Sequence, residues 1–420
     1  MHKRKRKGNL DMYNGKNLDN VLERFVTDDV LTGCGMQVIL DNQLIYSRCV
    51  GAAAVDRHQL LCEDTRLRIF SISKTFTCAA LMTLYEEGMF ALDDPIADYL
   101  PEFSNPMVCI SATDIRDVIP AKTPVTIRQL LTMTSGIAYM AFDPGEGPVQ
   151  KALLQAIKKM EADVAKGEKK TLQNLVEVIA QTPLCFQPGE HWLYGLSLSV
   201  IGRLVEVLSG RRFSDYVNNA IWQPLGLTRT CFNYQVPTGE VIAEQTIPEP
   251  FFDVLGLDVG GQAVTTRRGK IYGSKEAFMP AERLGFELPC GGMVSTLHDL
   301  GVFYAMLANG GSWKNIHILS RRTIDLMRAN QLSPVQLGDF AWEHNRGFGY
   351  GLGYRTMLDP AQAGFYMPEG SFGWDGTSGC YALASPDYKL AVIFAEQSLP
   401  HHISYTIPRV MAALHAELEL

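Results

Sequence analysis

Arg68-Ile69-Phe70-Ser71-Ile72-Ser73-Lys74-Thr75-Phe76-Thr77 is the stretch around which the chain is organised. Residues 65–70 read as a short strand. From Ser71 to about Glu87 the spacing turns helical, with apolar residues at Phe76, Ala79, Ala80 and Leu84 and a closing Gly88. Ser71 therefore falls at a helix N-terminus, and Lys74 lies three residues on, within reach of its hydroxyl. A serine hydroxyl is a weak nucleophile at neutral pH and needs a neighbour to take its proton. The N–H groups at a helix start can also stabilise charge developing on a substrate oxygen. A capping serine beside a solvated lysine would fit these residues equally well, so the pair needs support from elsewhere in the chain.

Working outward, residues 18–29 form an amphipathic pattern. Residues 35–40 and 43–47 form two strands joined by a turn at Asp41-Asn42. Strand character returns only late, at 348–357, 380–384 and 390–397, before a closing helix at 403–418. The fold class is thus α/β (α+β): an antiparallel sheet flanked by helices, built from both chain ends, with a mainly helical lobe inserted. The expected division is a disordered basic tail at 1–17, a sheet domain at 18–90 and 291–420, and the helical domain at 91–290. Within that lobe, residues 126–136 read as a short capped helix ending at Gly136. Residues 147–170 read as a charged, solvated helix, and 172–180 as a second one. Residues 237–283 resist assignment: a lid, a pocket wall and a plain surface loop all fit.

Composition narrows the function classes. The 420 residues are 46% hydrophobic and 20% charged with a formal net charge of -7, so there is no basic footprint for nucleic acid. The basic run His2 to Lys7 leads into polar sequence rather than an apolar leader segment, and reads as a solvated tail. Apolar stretches break too soon to make an integral membrane segment. Nine scattered cysteines with no Cys-x-x-Cys pair point to a reducing, cytoplasmic setting. No metal-binding or nucleotide-binding pattern occurs, and neither does a Gly-x-Ser-x-Gly elbow.

Two further stretches carry candidate chemistry. Residues 186–197 bring a Pro-Gly turn into an aromatic cluster that contains Tyr194. A phenol placed beside Ser71 and Lys74 could act as general base and then return the proton to a leaving group. A buried tyrosine with a satisfied hydroxyl is the commoner fate. Gly373-Trp374-Asp375-Gly376-Thr377-Ser378-Gly379-Cys380 leads into a strand, with glycines that let backbone approach a ligand. The Thr377 and Ser71 N–H groups could together make an oxyanion hole. A tight turn with Trp374 on the core is the alternative.

Residues 70–77, 126–136, 186–202 and 291–296 together resemble the serine β-lactamase-like family, in order and in separation. The similarity is nearest to class C β-lactamases, DD-peptidases and family VIII carboxylesterases, and runs from about residue 20 onward. It implies Ser71 as nucleophile, Lys74 as its partner, Tyr194 as the second-motif tyrosine and Trp374-Asp375-Gly376 as the third, substrate-binding motif. Whether lysine or tyrosine is the formal base stays open. Four positions depart from the pattern. Trp374 and Asp375 replace the usual lysine and threonine, Leu196 replaces the second-motif asparagine, and Met133 stands where many relatives carry histidine. An aromatic ring followed by an acid is a poor carboxylate receptor.

The resemblance therefore implies a serine hydrolase acting on a small-molecule ester or acyl donor through an acyl-serine, with no metal or organic cofactor. The alternatives are an acyltransferase to a small acceptor, a β-lactamase or DD-peptidase, and a penicillin-binding module that acylates once and stalls.

Overall fold

A computed structural model describes residues 15–140, 146–249, 263–274 and 283–418. Strands β1 (Gly33–Leu40) and β2 (Gln43–Gly51) form the expected hairpin. It turns at Asp41 and Asn42, both in the left-handed region at φ 48 and 64, which matches the twist of the flanking strands. Strand β3 (Leu67–Arg68) precedes Ser71, and β4 (Met293–Ser295) pairs with it. Strands β5 (Phe348–Tyr350), β6 (Arg355–Met357), β7 (Phe372–Asp375), β8 (Tyr381–Ser385) and β9 (Leu390–Ala395) follow. They make a seven-stranded antiparallel sheet in the order β5-β6-β7-β8-β9-β1-β2. The N-terminal hairpin closes onto the last strand, with Leu40 opposite Leu390 and Gly35 opposite Ala395.

Both faces of this sheet are covered. Helix α1 (Lys16–Thr27) lies on the face of the even-numbered β1 residues: Cys34 Sγ reaches Leu22 O, and the Phe25 and Phe394 rings meet edge to face. Opposite, the odd-numbered residues meet the helix Leu297–Ala308. A Cβ on Gly35 would lie 2.4 Å from Leu297 Cδ1, and one on Gly301 2.6 Å from Gln37 Oε1. Alternation along one strand thus fixes which helix packs on which side. The C-terminal helix Ile403–Leu418 packs beside α1.

Helix α2 (Ser73–Glu86) is enclosed by both halves of the molecule, and every residue from Ser73 to Met82 is buried. Phe76 stacks on Phe303 at 3.9 Å, Tyr354 Oη donates to Thr75 O at 2.6 Å, and α2 lies along helix Ser197–Ser209 on the other side. A helix surrounded on all sides needs no polar stripe. Its α-helical part starts later than the sequence suggests. Phe70–Ile72 is a 3-10 turn, and Phe70 itself sits at φ 42, a strained value for a bulky residue.

The inserted region carries α3 (Ile127–Leu131), α4 (Pro148–Ala165), α5 (Leu172–Gln181) and α6 (Ser197–Ser209). Thr126 and Gln129 close a capping box on α3. Three expectations need correction. Residues 348–357 are two strands turning through Gly353 at φ 82, not one. Residues 245–274 contain a three-stranded antiparallel sheet, Gln245–Pro248, Gly269–Ser274 and Val264–Thr266, docked on residues 397–399. The expected basic tail lies outside the described residues up to position 14, while Lys16 and Asn17 already belong to α1. Among the described residues, no helix is long and apolar enough to cross a membrane. No group of His, Cys, Asp and Glu among them is placed to hold a metal ion.

Candidate active site

Three side chains from two distant segments meet at the start of α2. The Lys74 ammonium donates to Ser71 Oγ at 3.0 Å and to the Cys290 carbonyl at 2.5 Å. The Tyr194 hydroxyl lies 2.6 Å from the same Ser71 oxygen. Lys74 has no exposed surface and, among the described residues, no carboxylate within ion-pair distance; its ammonium sits 4.7 Å from the Tyr194 ring centroid. One serine oxygen therefore touches two groups able to exchange its proton.

The backbone around Ser71 is fixed by the opposite edge of the site. Arg68 N–H donates to Gln397 Oε1 at 3.1 Å, and Arg68 O accepts from Ser378 Oγ and Gln397 Nε2, each at 3.1 Å. Gly376 lies against the same turn: a Cβ there would fall 2.5 Å from Ile69 O. That absent side chain lets the backbone leading to Thr377 approach the Ser71 turn. Neither the Ser71 nor the Thr377 N–H donates to another described group.

Tyr194 is held in an aromatic wall. Trp374 stacks on its ring at 5.8 Å with planes 12° apart, and Tyr139 and Trp192 flank it at 5.5 and 6.2 Å. Tyr350 packs edge-on to both Trp374 and Trp192. Burial pushes the Tyr350 phenol well above its ordinary range and the Tyr381 phenol up to about 12, so neither is a base at neutral pH.

The three third-motif residues take separate places. Trp374 faces Tyr194 and Gly376 backs the Ser71 turn. The Asp375 carboxylate, expected at the substrate, is instead engaged by Arg355 Nη2 at 2.7 Å with His344 Nε2 at 3.5 Å. The Arg355 guanidinium lies against the Trp374 ring, 5.3 Å from its centroid. Burial raises the Asp375 carboxyl, but the charges of Arg355 and His344 outweigh it and hold it well below the usual range. Such a group adds stability in full above the ordinary aspartate value, near pH 4, and loses it as pH falls towards its lowered folded value. Asp375→Asn should lower stability by about 3–5 kcal/mol at pH 7, because it strands a buried guanidinium. Urea unfolding checks this, and the gap from wild type should shrink at about pH 3.

Sequence reasoning missed Arg355, His344 and the Cys290 carbonyl. A carbonyl has no side-chain signature. Arg355 did leave one, since a lone cation in an apolar strand needs a buried acid nearby.

The Beta-lactamase family profile matches residues 18–408. The chain belongs to the beta-lactamase family. The acyltransferase calJ of Penicillium decumbens is 30% identical over 386 residues, covering 86% of this chain and 82% of calJ. Esterase EstB of Burkholderia gladioli is 28% identical over 373 residues, covering 86% of this chain and 85% of EstB. Unliganded simvastatin synthase of Aspergillus terreus superposes with a TM-score of 0.75 at 21% identity, over 95% of this chain and 97% of that one. Family and relatives make this beta-lactamase-family chain an enzyme. They agree with the α+β architecture of a sheet built from both chain ends.

Proposed function

We propose that the protein hydrolyses carboxylic esters through an acyl intermediate on Ser71. The observation that carries this reading is the contact of one serine oxygen with both Tyr194 Oη at 2.6 Å and Lys74 Nζ at 3.0 Å. The Tyr194–Lys74 pair enters the reaction one proton short, as phenolate with ammonium or phenol with free amine; Ser71 Oγ attacks the ester carbonyl carbon, and its proton passes to the vacant site on that pair. The N–H groups of Ser71 and Thr377 receive the oxyanion. Collapse breaks the carbon–alkoxy bond, and the pair returns the proton to the departing alcohol. Water then adds to the acyl-serine, giving its proton to the same pair, and the acid leaves with Ser71 restored.

The walls favour a neutral, apolar substrate over one with a carboxylate. Trp374 occupies the place of a receptor lysine, and the nearby Arg355 is already spent on Asp375. An esterase, EstB, among the relatives supports the same reading. We expect p-nitrophenyl esters to exceed nitrocefin in kcat/KM by at least about 100-fold, which corresponds to roughly 3 kcal/mol of transition-state discrimination. Comparable rates on the two would move the assignment to a β-lactamase or DD-peptidase. An acyl adduct that persists in intact-mass measurement would move it to a stalled binding module.

Transfer of the acyl group to an alcohol or amine is the second reading, favoured by the likeness to the acyltransferase calJ. Product analysis with added alcohols separates the two, since a transferase diverts most of the acyl group away from water.

A further inference from the structure

Met133 occupies a backbone position that methionine does not favour. Helix α3 ends in the Schellman pattern: Met133 N–H donates to Leu130 O at 3.3 Å and Thr134 N–H to Gln129 O at 2.9 Å. That pattern puts Met133 in the left-handed region, at φ 59, where glycine or asparagine is usual. A β-carbon there costs roughly 1–2 kcal/mol. A residue kept in such a conformation invites a search for what its other atoms do.

Its other atoms grip the N–H groups of the two residues on either side of Tyr194. Leu193 N–H donates to the Met133 carbonyl at 3.0 Å, and Gly195 N–H donates to the Met133 thioether sulfur at 3.4 Å. Met133 is 1% exposed and Gly195 is buried, so water offers this N–H no substitute. Gly195 also packs closely on its other side, where a Cβ would fall 2.0 Å from Ile137 O. The strained φ aims carbonyl and side chain so that both can serve one short segment.

We propose that Met133 is a positioning residue: its sulfur accepts the Gly195 N–H and so sets the angle at which the Tyr194 hydroxyl meets Ser71. This rests on the proposed role of Tyr194 and adds to it a residue that touches neither substrate nor reacting atoms. Thioether sulfur is a weak acceptor, but a buried N–H with no acceptor at all is the costlier arrangement. The bond need only select one orientation of a hydroxyl already 2.6 Å from Ser71.

Met133→Leu tests this with little change in volume and with the carbonyl bond intact. Met133→His is the companion, since imidazole Nδ1 lies as many bonds from the backbone as the sulfur and can accept the same N–H. Histidine also tolerates the left-handed region better than most residues. Both are assayed on the full chain with p-nitrophenyl butyrate, beside Tyr194→Phe, with thermal midpoints recorded. Expected is a fall in kcat of at least about 10-fold in Met133→Leu, with KM within about two-fold and a folded protein. Met133→His should recover most of that loss. If Met133→Leu keeps kcat within two-fold while Tyr194→Phe is impaired, the inference is overturned and the role of Tyr194 stands. If Met133→His shows the same loss as Met133→Leu, the sulfur was filling space and the inference is again overturned. Wild-type rates in Tyr194→Phe would remove the reading beneath it.

Discussion

Ser71→Ala is expected to abolish measurable ester turnover, lowering kcat by on the order of 10⁴-fold or more, with the thermal midpoint close to that of wild type. The size follows from the loss of the covalent route. Without the oxygen, residual rate comes only from binding and from oxyanion stabilisation, which in serine enzymes leaves a small remnant over water. The unchanged stability follows from the surroundings. Ser71 Oγ accepts from Lys74 and Tyr194 but holds no backbone group in place, whereas Cys290 O still receives the Lys74 ammonium. The measurement is hydrolysis of p-nitrophenyl butyrate, paired with a thermal melt. Full activity in Ser71→Ala would end the acyl-serine reading outright.

Tyr194→Phe keeps the ring and its stacking on Trp374 but removes the hydroxyl that lies 2.6 Å from Ser71 Oγ. General acid–base catalysis contributes typically 10²–10⁴-fold, and kcat should fall within that range while KM changes little. The loss should fall on both half-reactions, because the same phenol serves alcohol departure and attack by water. Pre-steady-state release of p-nitrophenol therefore slows along with the steady state. A burst at the wild-type rate, followed by slow turnover, would confine Tyr194 to deacylation.

Local chemistry decided what could be read from the sequence. Ser71 and Lys74 were legible because three residues along a helix is a contact in any fold. The hairpin at 33–51 and the closing helix were legible because turn residues and periodicity mark them. Tyr194 was named from its aromatic setting, and the structure brings its hydroxyl to Ser71 across 123 positions. What escaped were contacts with no local cause. Asp375 was read as facing a ligand because its partner Arg355 lies on another strand and only pairing of β6 with β7 brings the two together. The sheet at 245–274 escaped because its strands are short and flanked by Pro and Gly. Met133 was named only as a departure from the family pattern, since nothing in sequence says that a thioether will meet a peptide 62 residues away.

The pairing of β1 with β9 has a consequence for how the molecule is made. Leu40 waits for Leu390, a partner 350 residues later in the chain. At about 5–20 residues per second, translation separates the two by roughly 20–70 s. Through that interval the nascent hairpin presents an open, apolar edge able to pair with another copy. Holding factors at the ribosome, rather than intrinsic folding speed, should therefore govern the yield of active enzyme. A start placed shortly upstream of residue 348, with α1 encoded after the helix Ile403–Leu418 that packs beside it, would shorten the wait.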